Sequence, residues 1–226
     1  MYRRIFLIVS ILLVKSIAAT MPSLAQAQVL IARKSSPEVV NLLNKGRELF
    51  GAEDYERAIT VYQKAAVLEP GNHTIPAGIG FLQAKKGDFR SALISYRRAI
   101  ALNQNSSDYY YAVAYVHGNL GNIKAAKEAY RKAIQLNRNN KNAYLGLMIT
   151  QSYLGDYGAV EWAYKKLLEL DPINARAYEL MGAEMKKQGR RQEAVNKFKK
   201  ARSLYQSKGE TDGVIRVDIM LKNLGI

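Results

Sequence analysis

Cysteine is absent from this chain, histidine occurs twice, tryptophan once and proline five times, and acidic residues number 19 against 34 Lys and Arg. Without cysteine no disulfide braces the fold, and no lipid can be attached to a thiol behind the amino-terminal apolar run. The absence is compatible with an oxidising compartment without demonstrating one. His73 and His117 stand apart in no metal-ligand spacing, and no nucleophile motif, phosphate loop or ligand cluster accompanies them. His117 reads as a packing residue, and the acid pair Glu53 and Asp54 reads as helix-capping chemistry on a turn. The expectation is a protein with no catalytic residue, no metal and no cofactor, hence not an enzyme.

What the chain has is period. Five segments from Val39 to Lys208 superimpose at a spacing of 34 residues without a gap. A small residue recurs as Ala58, Ala92, Ala126, Val160 and Ala194. An aromatic follows each one turn later, as Tyr62, Tyr96, Tyr130, Tyr164 and Phe198, and then a third column of Ala65, Ala99, Ala133, Leu167 and Ala201. On the first helix of each segment Gly46, Gly80, Ala114, Met148 and Gly182 are expected to face the first of these columns, because helices approach closely only where side chains are small. Between them Gly51, Gly87, Gly121, Gly155 and Gly189 are expected to supply left-handed caps, and Asp or Asn after most of them to start the next helix. Such a unit cannot bury its apolar face alone and must stack on its neighbours.

These columns resemble the tetratricopeptide repeat family, and the likeness covers about three quarters of the chain. Tyr55, Phe89, Ile123 and Tyr157 also fall where that family places an apolar residue after the turn. Proline, common near the end of the family's repeat, survives as Pro70 and Pro172 and gives way to Gln104, Arg138 and Gln206 elsewhere. The resemblance implies an all-α, right-handed α-solenoid of antiparallel helix pairs, with repeats at 39–72, 73–106, 107–140, 141–174 and 175–208 and a capping helix within 209–226. In that last helix Thr211 or Asp212 is expected as the cap, with Val214, Val217, Leu221 and Leu224 on the buried side. In repeat four the small positions are enlarged together to Met148, Val160 and Leu167 while Gly146 and Gly158 stand nearby, which predicts a local change of helix spacing.

Upstream, Arg3 and Arg4 precede an apolar run from Ile5 to Val14, and Ala25, Gln26 and Ala27 close the stretch. Residues 1–27 thus read as a signal peptide and 28–38 as a short linker. The expectation is export, periplasmic or secreted, with an uncleaved amino-terminal membrane anchor as the alternative. The apolar run is short of the roughly 20 residues a span requires. The sequons at Asn72 and Asn105 read as chance.

The function expected of such a stack is a protein-protein interaction scaffold or adaptor. By resemblance, the first helices of the repeats line a concave groove for a peptide or protein partner, through Leu43, Arg47, Phe50, Phe81, Tyr111, Tyr115, Leu145, Ile149 and Tyr153. The Lys and Asn set with which some members clamp a peptide's terminal carboxylate is not present. An alternative rests on charge: the net +15 falls to +12 once Arg3, Arg4 and Lys15 leave with the leader. Lys64, Arg97, Arg98, Arg131, Lys132, Lys165, Lys166, Lys199 and Lys200 recur on the second helices as a basic ridge for an anionic membrane or envelope surface. Nucleic acid is disfavoured for an exported chain.

Overall fold

A computed structural model describes residues 35–226. The signal peptide expected at 1–27, and the expected linker up to residue 34, lie outside the described residues. Every regular element among those described is a helix: α1 (Pro37–Gly51), α2 (Tyr55–Leu68), α3 (Thr74–Lys85), α4 (Phe89–Leu102), α5 (Ser107–Asn119), α6 (Ile123–Leu136), α7 (Lys141–Leu154), α8 (Tyr157–Leu170), α9 (Ala175–Lys187), α10 (Arg191–Ser207) and α11 (Thr211–Lys222). This is the all-α, helix-pair architecture of the solenoid class. The described chain divides into two compact units, 35–138 and 139–226.

Local chemistry sets the helix starts. Ser36 caps α1 by accepting from the Val39 amide, with Pro37 in the first turn, so the helix begins inside the expected linker. The carboxylates of Asp54, Asp88 and Asp156 cap α2, α4 and α8 in the same way. Asn122 and Arg190, in the equivalent place, make no such bond. The stops are carried by Gly87, Gly121, Gly155 and Gly189 at φ between +73 and +88. Repeat one departs from the sequence expectation. Gly51 is the last residue of α1, and the left-handed residue is Glu53 at φ 58, one period before Gly87.

In unit 35–138 each helix packs on the next. Ala58, Ala65, Ala92, Ala99, Ala126 and Ala133 are fully buried, as their spacing requires. The glycines of the first helices do more than face that column: they receive the aromatic beside it. The Tyr62 ring of α2 is wedged between Gly46 of α1 and Gly78 of α3. A methyl group on Gly78 would lie 2.5 Å from its Cε1, and one on Gly46 would also overlap the ring. Gly80 receives Tyr96 similarly, with a methyl at 3.0 Å. Burial pushes the Tyr62 hydroxyl up to about 12 and carries Tyr96 and Tyr130 well above the ordinary tyrosine range. Packed between α2 and α4, α3 is buried at nine consecutive residues from Thr74 to Leu82.

In unit 139–226 Met148, Val160 and Leu167 are all buried. Gly158 is exposed and faces only the Asp156 carboxylate, 3.8 Å from where a methyl would stand, so it returns no volume to the enlarged column. Gly182 receives the Phe198 ring, the aromatic beside the small column it was expected to face. Helix α11 packs on α10 through Val217 and Leu221. Its N-cap is Glu210 without a side-chain bond, and Thr211 is already helical, which corrects the expected cap.

A charge network missing from the sequence reading joins three helices here. Glu179 of α9, 1% exposed, pairs with Arg176 at 2.5 Å, accepts a bond from the Tyr205 hydroxyl of α10 at 2.5 Å, and meets Arg216 of α11 at 3.4 Å. Burial raises the Glu179 pKa, but Arg176, the Tyr205 bond and Arg216 outweigh it and hold the carboxyl below its usual range.

Candidate functional site

The strongest candidate is built within unit 35–138 where the helix pairs turn. Phe50 stands next to last in α1, Tyr55 opens α2 after the turn, and Phe81 projects from the second half of α3. The Phe50 ring lies 5.9 Å from Tyr55 and 5.3 Å from Phe81, centroid to centroid. One repeat on, Phe89 at the start of α4 meets Tyr115 of α5 edge-on at 6.3 Å. Phe50, Tyr55 and Phe89 are only half-buried, so each ring is fixed on one side by the core and open on the other.

A cation lies over one of these rings, and a second stands one turn before Phe50 along α1. Lys85 Nζ lies 5.6 Å from the Phe81 centroid, and Arg47, one turn before Phe50, bonds the Leu43 carbonyl at 3.4 Å and the Asn44 side chain. Neither has an acidic partner among the described residues. Fixed aromatic surface flanked by uncompensated positive charge suits an apolar segment that also carries an acid.

The remaining groove residues are placed differently. Leu43 is a core side chain, and Tyr111, 2% exposed, packs its ring on Tyr130 at 5.9 Å, so both hold helices together and present little surface. Phe81 and Tyr115 are largely buried and serve as the floor beneath Phe50 and Phe89. In unit 139–226, taken by itself, Ile149 is buried, Leu145 half-buried and Tyr153 exposed. Tyr55, Phe89 and Lys85 were missed as site residues by sequence reasoning. The available signal was Tyr55 and Phe89 recurring one period apart, each a few residues past an aromatic or cation closing the preceding helix.

The basic ridge is also sorted. Lys165 and Lys166 are neutralised along α8 by Glu161 at 2.9 Å and Glu169 at 2.8 Å. Arg131 shares Glu128 with Lys127, and Lys132 lies over the Tyr110 ring at 6.0 Å. Lys64, Arg97, Arg98, Lys199 and Lys200 are exposed without an ion pair among the described residues.

Both histidines are lowered from their usual range by burial, His117 also by the nearby Arg97 charge, so both are neutral at pH 7. His73 Nδ1 and the Tyr109 hydroxyl are hydrogen-bonded at 2.7 Å, linking α5 to the residue before α3. Among the described residues no three His, Cys, Asp or Glu side chains are grouped as metal ligands, and no helix is long and apolar enough to cross a membrane.

Comparison with known proteins agrees with this architecture. The tetratricopeptide repeat model matches residues 107–140. Among solved structures the chain is similar to MamA, with 27% identity over 73% of this chain and 96% of that one and a TM-score of 0.67. It is similar in fold to YrrB, described as a TPR protein with an unusual peptide-binding site: 21% identity, 82% of this chain, 93% of that chain, TM-score 0.62. It is similar in fold also to TTC0263, a thermophilic TPR protein of Thermus thermophilus: 20% identity, 81% of this chain, 98% of that chain, TM-score 0.65. No curated protein matches the sequence.

Proposed function

We propose that this chain, whose residues 107–140 match the tetratricopeptide repeat model and whose fold is similar to that of MamA, is a non-enzymatic scaffold that grips an extended peptide segment on the aromatic surface of its first repeats. The observation that carries this reading is the half-open Phe50, Tyr55 and Phe81 cluster, with Lys85 over the Phe81 ring and Arg47 one turn before Phe50 on α1. Apolar side chains of the segment rest against Phe50 and Tyr55, and an acidic residue meets Arg47 or Lys85. The peptide-binding description of YrrB is consistent with this use of the fold. The leader pattern of residues 1–27 supports action after export, in the periplasm or outside the cell.

The test selects peptides from a random display library on the full chain, then measures the affinity of an enriched peptide by calorimetry for variants. Phe50→Ala is expected to weaken binding by about tenfold or more, as for a central aromatic anchor. Lys85→Glu is expected to weaken peptides that carry an acid. Tyr153→Ala should change nothing. An enriched peptide that binds Phe50→Ala and Lys85→Glu like the parent would refute the reading.

A further inference from the structure

The exposed cations of unit 35–138 are not scattered. Arg97 and Arg98 lie on α4, a helix with no acidic residue in its sequence, FRSALISYRRAIAL. Lys64 occupies the position one period before Arg98. None of the three is in an ion pair among the described residues, whereas Lys165, Lys166 and Arg131 in the same columns are each compensated by a glutamate.

The same surface exposes aliphatic side chains. Ile94, one turn before Arg98 on α4, is 70% exposed, and Val67 of α2 is 80% exposed. Val67 and Arg98 line one groove of about 470 Å³, with Ile79 of α3 among its other lining residues. Scattered exposed aliphatics are ordinary on a protein surface, but here two of the most exposed flank a line of uncompensated cations.

We propose that this α2 and α4 face docks on an anionic lipid bilayer, Arg97, Arg98 and Lys64 meeting headgroup phosphates and Ile94 and Val67 entering the boundary beneath them. A bilayer offers both chemistries in one plane: each Lys or Arg near an anionic leaflet contributes about 1 kcal/mol, and aliphatic side chains bury into the acyl boundary. An acidic polymer would meet the cations and leave Ile94 and Val67 in water. The residues differ from those of the peptide surface, so the two readings stand or fall separately.

The absence of cysteine makes a local test direct. The full chain carrying Ile94→Cys is labelled with an environment-sensitive fluorophore and mixed with vesicles of phosphatidylglycerol and phosphatidylcholine in equal parts. The leader is present in every sample, and a probe at position 94 reads this face alone. The emission is expected to shift to the blue with anionic vesicles, to stay unshifted with pure phosphatidylcholine, and to return toward its free value as salt rises.

Adding Arg97→Glu and Arg98→Glu should lower the partition coefficient by more than about tenfold, while Arg97→Lys and Arg98→Lys should preserve it. Circular dichroism establishes that each variant is folded. An unshifted probe overturns the proposal, as does a shift that survives charge reversal. A shift with polyglutamate but not with anionic vesicles overturns it in favour of an acidic polymer.

Discussion

Both units seat aromatic rings against glycines where successive helices meet, and they differ in what is added to that packing. In 35–138 the joint is steric and apolar: Tyr62 of α2 is inserted between Gly46 and Gly78, and the space for the ring exists because two side chains do not. In 139–226 the Tyr205 ring of α10 is likewise seated against Gly213 of α11, and a polar network is added to that joint, with Glu179 held by Arg176, Tyr205 and Arg216 from three helices. The first arrangement is sensitive to a single added methyl and indifferent to the charge of its parts. The polar addition in the second contributes only while one buried carboxylate stays ionised and both arginines stay near it. One repeat pattern is thus compatible with two ways of fastening neighbours, and each predicts its own way of failing.

The largest effect is expected at the polar joint. Glu179→Ala leaves Arg176 and Arg216 partly buried without their anion, and chemical denaturation should show a loss of about 3 kcal/mol, with α11 released first in hydrogen exchange. A loss spread evenly over both units would contradict a local joint. Next comes the steric joint: Gly78→Ala places a methyl 2.5 Å from a ring that Gly46 blocks on its other side. Its expected cost is about 1–3 kcal/mol, read as a lower midpoint in the same titration. Gly118→Ala is the matched control, a helical glycine with open space around it, and should gain about 0.5–1 kcal/mol.

Acidification separates the units further. His73 and His117 hold lowered pKa values in the folded state, so below about 6.5 the unfolded chain binds more protons. The stability they contribute in 35–138 is present above that pH and is lost as pH falls toward their folded values. Glu179 also has a lowered folded pKa, from an ordinary 4.5, and its contribution in 139–226 is present above that value and is lost on further acidification. Hydrogen exchange followed from pH 7 downward should therefore show residues 35–138 loosening before α11 does. His73→Gln with His117→Gln should remove the earlier step.

The smallest effect concerns a turn. Glu53 occupies at φ 58 the place where later repeats have glycine, and Glu53→Gly should raise stability by about 0.5–1 kcal/mol, measured by thermal denaturation. This position shows how much of the fold was legible. The helix pairs, their order and the buried alanine columns follow from spacing, because close packing demands small residues at fixed intervals. The cap of repeat one was misplaced onto Gly51 because residue type is an imperfect sign of a backbone angle. Glu179 was illegible because a glutamate on a helix looks solvent-exposed until the helices that bury it are placed.

The candidate site was half legible for the same reason. Phe50 and Arg47 are found by their repeat positions, while Leu43 and Tyr111 occupy groove positions by count and are taken up by the core. Their neighbours across the stack close over them, which single-repeat spacing does not report. Tyr55 and Phe89 become surface only through the adjoining turn, a relation between helices that a column count misses.

The central claim, that the aromatic turn surface of the first repeats is where a partner binds, is tested most directly by hydrogen–deuterium exchange of the full chain with and without a peptide enriched from a random library. The account predicts new protection confined to the end of α1, the start of α2 and the second half of α3, around Phe50, Tyr55 and Phe81. Protection centred instead on residues 139–226, with those segments unchanged, would contradict it.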